Sequence, residues 1–321
     1  KDIPAEVEGF YNKEKYQKSL DYQKDQTRFS FITAGFSFLI SLGMLVFGGF
    51  GWLDGFLRPF LSNEIILALV FFGTIMIISD ILTIPFQWYS TFVIEEKYGF
   101  NKTTVKTFIT DKLKGYLLGA LIGGALLAIL IYLVNSIGPN FWIWFGLLAA
   151  AFTLFVNMFY TSLILPLFNK LTPLAEGELK TTIEGFAKKV NFPLDNVFVM
   201  DGSKRSAKAN AFFSGIGKKK KIVLYDTLIN NHSTEELVAV LAHEVGHFKK
   251  KHIIWSYLIS IVQIFFVLFI LSKMVFNDNL SIALGGTQQA IHLNLIAFGI
   301  LFSPISGITG LLMSMLSRKN E

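Results

Sequence analysis

Long apolar runs alternate with polar stretches along most of this chain. Lys1 to Arg28 mixes acids, lysines and tyrosines and predicts an interfacial or soluble lead-in. Phe29 to Leu53 is the first run long enough to cross a bilayer, which takes about 20 apolar residues as a helix. After a short loop with Asp54, Arg58 and Pro59, the second runs from Ile65 to Tyr89 and closes on Trp88 and Tyr89, placed like interfacial aromatics. A polar loop, Ile94 to Lys114, precedes the third, Gly115 to Val134. A tight turn through Asn135, Gly138 and Pro139 leads into the fourth, Phe141 to Leu165. The fifth, Ile253 to Phe276, and the sixth, Ile291 to Leu312, are joined by a loop over Asn277 to Gln289.

The expected fold class is therefore mainly α and polytopic, with about six transmembrane helices and one large hydrophilic segment between the fourth and fifth. The pattern divides the chain into 1–165, 166–252 and 253–321. Inside the hydrophilic part, Pro173 to Val190 reads as an amphipathic helix. Asn196 to Met200, Ala209 to Ser214 and Lys221 to Asp226 read as short strands of a small β-sheet. Gly215 to Gly217, with the lysines at 218–221, reads as a hairpin end.

Composition agrees with a membrane protein: 52% of residues are hydrophobic, 16% are charged, and Phe alone numbers 33. Cysteine is absent, which excludes disulfides, thiolate metal sites and a cysteine nucleophile. The formal charge of +6 is distributed asymmetrically. With six spans, 27 of the 29 Lys and Arg residues fall on one side, leaving only Arg58 and Lys273 on the other. By the positive-inside rule that side is cytoplasmic. The lysines at 218–221 and 249–251 are then expected to be solvated or to meet anionic headgroups rather than nucleic acid. Asp80 and Pro85 interrupt the second span. An acid at membrane depth suggests function, but its place near the span's end favours a helix-packing or water-facing role.

The candidate chemistry sits in Ser233 to His252, STEELVAVLAHEVGHFKKKH. His243 and His247 are four apart, so on a helix their imidazoles can aim at one point, half of a tetrahedral zinc site. Glu244 lies where a carboxylate can reach a water at the metal without binding the metal itself, the place of a general base. Ser233 and Glu236 form a capping box, and Leu237, Val238, Leu241, Val245 and Phe248 recur as a buried stripe. Lys249, Lys250 and Lys251 suit the negative end of the helix dipole.

A tight site needs a third protein ligand. His252 follows His247 by five positions, and a continuous helix carries it about 140° from the ligand face. Beyond it the remaining carboxylates are Asp278, on the far side of the membrane, and Glu321, which follows the sixth span on the near side. Elimination favours Glu321. His232 is a candidate second oxyanion donor, though such a residue more often just precedes a helix cap.

Several blocks resemble the type I CAAX prenyl endopeptidases, integral-membrane zinc metalloproteases. They are Glu95 to Lys102 (EEKYGFNK), Pro166 to Lys170 with Thr172 to Leu174, Gly202 to Ser206 leading to Asn210 to Phe212, Ile222 to Leu228, and His243 to His247. The end, Ser317 to Glu321, resembles the start of that family's S-R-x-x-E-x-x-A-D block. The resemblance implies a gluzincin-like domain with Zn2+ bound by His243, His247 and Glu321 and a ring of helices around an intramembrane chamber. It also implies cleavage near the C-terminus of prenylated proteins or peptides. The family usually has seven spans and continues past the ligand Glu, so the chain reads as trimmed at both ends. Asn210, Ala211 and Phe212 are the expected substrate-binding residues, on an edge strand that pairs with an extended peptide. Two other readings stand beside this one. One is a membrane quality-control metalloprotease without a prenyl requirement; the other is a non-catalytic transporter or scaffold in which Asp80 is the functional acid.

Overall fold

The computed structural model describes residues 12–214 and 220–320. Asn12 caps α1 (Lys13–Val46), whose helix takes in the second half of the polar lead-in as well as the first apolar run. Gly48, at φ +62°, breaks that run, and α2 (Gly49–Leu57) follows, so the loop expected around Asp54 is helical. Next come α3 (Glu64–Tyr89), extended by a π-helical turn to Glu95, and α4 (Val105–Leu118), which begins inside the stretch expected to be loop. Then follow α5 (Gly124–Ile137), α6 (Phe141–Phe159) and the short α7 (Leu165–Phe168).

The hydrophilic segment contains β1 (Leu171–Pro173), α8 (Glu178–Lys189), β2 (Leu194–Met200), β3 (Ala211–Ser214), β4 (Lys220–Tyr225), α9 (Asp226–Asn231) and α10 (Thr234–Lys249). The chain returns to the membrane in α11 (His252–Met274). α12 (Asp278–Ala283) lies within the stretch expected to be loop, and α13 (Ile291–Asn320) follows.

Among the described residues five helical stretches are long and apolar enough to cross a membrane. The third, Val105–Phe168, has 64 residues, about 96 Å at 1.5 Å per residue and some three times the hydrocarbon thickness. It is interrupted at Gly138–Asn140, where Gly138 takes φ +67°, and α5 and α6 pack on each other. It is a hairpin with two crossings, which makes six among the described residues.

Burial in the spans is concentrated at one end. Leu67, Ala68 and Phe71 open α3; Leu130, Ile131 and Val134 close α5; Phe141 opens α6; Leu268, Leu271 and Val275 close α11; Leu293, Ala297 and Phe298 open α13. Polar ties reinforce this end. Asp54, 1% exposed, accepts from Arg58 at 2.8 Å and lies 2.8 Å from His292 Nε2. Ser281 donates to Asn294 Oδ1 at 2.7 Å. Gly51 donates to Leu284 O at 2.9 Å, and a Cβ on it would sit 2.0 Å from the Gly285 backbone, so only glycine fits. Towards the other end, only Ile94, Thr107, Thr161 and Leu165 are buried among the described residues of the spans and α4, and Leu165 packs on the sheet. Side-chain burial among the described residues of the spans is thus dense at one end and sparse towards the end that carries α10.

The four strands run in the order β1-β2-β4-β3, with β2 and β4 parallel and both outer pairs antiparallel. β3 and β4 are consecutive, but residues 215–219, where the hairpin end was expected, lie outside the described residues. One face of the sheet packs with α8, α9 and α10 around Ile183, Val197, Ile222, Leu224, Leu237, Leu241 and Val245.

The hydrophilic segment is joined to the membrane helices through residues 201–208. Arg205 donates to both oxygens of Asp111 on α4, at 2.7 and 2.9 Å, and to Phe168 O at 2.7 Å. Lys208 reaches Glu95 at 3.1 Å and the Tyr22 hydroxyl at 2.8 Å. Lys102 N and Ala207 N complete the backbone pairing to Arg205 O and Phe100 O. Asp80 is likewise a packing residue: it pairs with Lys112 at 2.8 Å and accepts from Tyr116 and Gln87, joining α3 to α4.

Replacing Arg205 by alanine leaves Asp111 without its charged partner. It should cost about 1.5–3 kcal/mol and raise hydrogen exchange together in 95–104 and 201–208. Exchange mass spectrometry on the detergent-solubilised protein checks both.

Candidate metal centre

The helix that carries the site forms for local reasons. Ser233 Oγ accepts from Glu236 N, and Glu236 Oε2 accepts from Ser233 N at 2.8 Å, so the expected capping box closes. Leu237, Leu241 and Val245 are buried, with Val238 and Phe248 packed beside them. Burial of such side chains contributes about 1.5–3 kcal/mol each, so this stripe sets the rotation of α10.

That rotation sends His243 and His247 away from the core. Their Nε2 atoms stand 3.0 Å apart with the ring planes at 82°. Bonds of about 2.0–2.1 Å from each nitrogen can meet on one ion, so the donor pair fits a divalent metal. Glu244 and His247, both half-buried, line a cavity of about 510 Å³. Its apolar wall is Phe192, Phe212, Phe213 and Phe248, and its membrane side is Thr153 and Asn157 of α6 with Ser256, Tyr257 and Ser260 of α11. The soluble segment and the membrane helices therefore build one cavity. Tyr257 fastens the two helices by donating to Ala150 O at 2.9 Å.

The substrate-binding candidates divide. β3 is an edge strand of the sheet, and Phe212 lines the cavity. Ala211 packs against the core, and Asn210 is exposed just before the strand, its Oδ1 accepting from Ala211 N at 2.9 Å. Glu321 lies outside the described residues. Among the described residues no group of three metal-ligating side chains converges. His232 Nδ1 is held 3.0 Å from Leu228 O, at the junction between α9 and the cap of α10.

Two residues differ from expectation. Lys220 was expected to be solvated, but it is 5% exposed, lines the cavity, and holds its ammonium 4.8 Å from the Phe248 ring centre. A run of four lysines conceals the one that shares a strand face with Ile222 and Leu224, and the unbroken apolar run that follows gives no alternation to single it out. His252 was set aside because a continuous helix carries it away from His247. The helix is not continuous: Lys251 takes φ +57°, and His252 Nδ1 comes within 2.8 Å of His247 Nδ1.

Residues 1–170 match the family described as CAAX prenyl protease N-terminal, five membrane helices, and residues 173–321 match peptidase family M48. The chain belongs to this family. CAAX prenyl protease 1 homologs of Oryza sativa subsp. japonica and Arabidopsis thaliana are each 37% identical to it, over 99% of this chain and 77% of their own length. CAAX prenyl protease 1 of Saccharomyces cerevisiae is 32% identical over 99% of this chain and 76% of its own. The crystal structure of S. mikatae Ste24p superposes with a TM-score of 0.93 at 31% identity, covering 99% of this chain and 79% of that one. A member of this family is an integral-membrane metalloendopeptidase with a divalent metal and a protein or peptide substrate. The transporter and scaffold reading falls with that, and Asp80 keeps only its packing role.

Burial pushes the Lys220 ammonium below the usual lysine value. Between its folded value and the ordinary one, the unfolded chain binds more protons, so stability rises with pH across that interval. Lys220→Met should flatten the rise, as read from denaturation midpoints across an alkaline pH series.

Proposed function

We propose that this protein is a zinc-dependent membrane endopeptidase that cuts near the C-terminus of prenylated, CAAX-type proteins or peptides. His243 and His247 would hold the zinc with Glu321 as third ligand, and the site would face the cytoplasm. The observation that carries the reading is the convergence of His243 Nε2 and His247 Nε2 at 3.0 Å, with Glu244 beside them in an aromatic-walled cavity. The charge asymmetry of 27 Lys and Arg among 29 supports the cytoplasmic orientation. The names of the relatives support the substrate class.

A bound zinc ion supplies Lewis acidity towards a water and a peptide carbonyl. The chain's own residues do the rest. Glu244 takes the proton of the attacking water and passes it to the nitrogen of the departing amine. The outer edge of β3 offers backbone N–H and C=O groups, on which an extended peptide lies as an added strand beside α10. Phe212 and Phe213 flank that peptide from the same strand, while Phe192 and Phe248 exclude water from around the carboxylate. An isoprenoid requires apolar surface next to the peptide site. The apolar faces of α6 and α11 near α10, where Phe155, Phe159, Ile254 and Trp255 are exposed, would provide it.

Glu244→Gln should lower the rate of peptide cleavage by about 10²–10⁴-fold while zinc content stays stoichiometric, and His243→Ala and Glu321→Ala should both lose zinc. Purified protein in detergent, assayed by metal analysis and by cleavage of a farnesylated peptide, checks these outcomes. Equal cleavage of the unprenylated peptide would replace the substrate class with unmodified membrane proteins.

A further inference from the structure

His252 is held against the metal centre by one turn of unusual backbone. Lys250 N donates to Gly246 O at 3.0 Å and Lys251 N to Phe248 O at 2.9 Å, ending α10. Lys251 then takes φ +57° and ψ +29°, a conformation that residues other than glycine seldom adopt. Ile254 N and Trp255 N bond to Lys251 O at 3.0 and 3.1 Å, so α11 starts at once in a new direction. The outcome is His252 Nδ1 lying 2.8 Å from His247 Nδ1, with ring centres 5.0 Å apart and planes at 63°.

Two imidazole nitrogens at 2.8 Å share one proton, with one nitrogen donating and the other accepting. The nitrogen of His247 that faces His243 is Nε2. A neutral imidazole that gives Nε2 to a metal carries its proton on Nδ1, so Nδ1–H of His247 donates and Nδ1 of His252 accepts. His252 is then in the tautomer with its proton on Nε2. It is not itself a ligand, because the atom it contacts is on the opposite side of the His247 ring from the metal face.

We infer that His252 is a positioning residue of the metal centre, which fixes the ring orientation and tautomer of His247 through this hydrogen bond. The inference rests on the reading that His243 and His247 hold zinc. In most such sites the outer partner of a metal-bound histidine is a carboxylate, a backbone carbonyl or a water. Here an imidazole holds that place, and the left-handed Lys251 is what delivers it.

The test is zinc affinity of the full chain in detergent, measured by competition with a chromophoric chelator, with the melting temperature of the metal-free protein as the folding control. His252→Phe keeps a ring and loses the acceptor; it should bind zinc about 10–100-fold more weakly with its metal-free melting temperature unchanged. His252→Gln restores an acceptor oxygen and should recover most of that loss. Lys251→Val strains the turn with His252 intact and should weaken zinc in the same direction, whereas Lys251→Gly should not. Unchanged zinc affinity in His252→Phe overturns the inference and leaves the metal site standing. Complete loss of zinc in His252→Gln overturns it by making His252 a ligand. A wild-type protein that holds no zinc overturns the metal reading, and this inference with it.

Discussion

Two imidazoles can share an ion only if the helix that carries them cannot turn about its axis. In α10 that constraint comes from Leu237, Leu241 and Val245, which are buried against Ile222, Leu224 and Ile183. Rotating the helix by one residue, about 100°, would bring this stripe out and expose at least three large apolar side chains. The cost at about 1.5–3 kcal/mol each is comparable with the whole stability of a small domain. The sheet is thus the reference against which the proposed metal-binding pair is aimed. The capping box contributes less energy, but it determines where the helix begins and therefore which residues face the cavity.

A rigid helix is useful to a membrane enzyme only if the membrane helices are held in register with it. The junction is polar and consists of two segments far apart in sequence. Residues 95–102 and 202–208 bind one another through backbone pairs, while Arg205 and Lys208 reach acids on or beside the membrane helices, Asp111 and Glu95. These are two of the blocks by which the sequence resembles its family. Part of what those blocks encode is the fixed placement of the sheet over the membrane, in addition to any contact with substrate.

What could be read from the sequence was what depends on neighbours along the chain. The capping box, the apolar stripe, three of the four strands and the apolar spans are all local, and each is found close to where the pattern puts it, except that Gly48 ends the first span early, at Val46. The pair His243 and His247 belongs with them, since helical spacing alone brings their nitrogens together. Legibility failed where a residue's role depends on a single backbone angle or on a distant partner. His252 looked unable to reach His247 because the extrapolation assumed a straight helix, and Lys251 at φ +57° removes that assumption. Lys220 looked solvated because it stands among lysines, yet its strand register places it under Phe248. The polar stretches around Asp54, Val105 and Asp278 looked like loops because polarity was taken for irregularity. They are helices, and in the first two charged side chains meet partners: Asp54 with Arg58 and His292, Asp111 with Arg205, and Lys112 with Asp80.

The sparse burial of the spans towards α10 follows from the solvent they occupy. In water, unpaired apolar helix faces would collapse together; in lipid there is no hydrophobic force between helices, because acyl chains are as apolar as leucine. Association must then come from tight packing and polar ties. The tight packing gathers at one end, with the close approach of Gly51 to Gly285, the Asp54–Arg58–His292 group and the Ser281–Asn294 pair, while Asp80–Lys112 and Tyr257–Ala150 tie helices nearer α10. With the helices fastened there, their sparsely buried opposite ends carry no energetic penalty from exposed leucines and phenylalanines. An apolar space beside a polar metal helix is unstable in a soluble protein and ordinary at a membrane rim. The proposed substrate, a peptide that carries a hydrocarbon chain, would require that combination of environments.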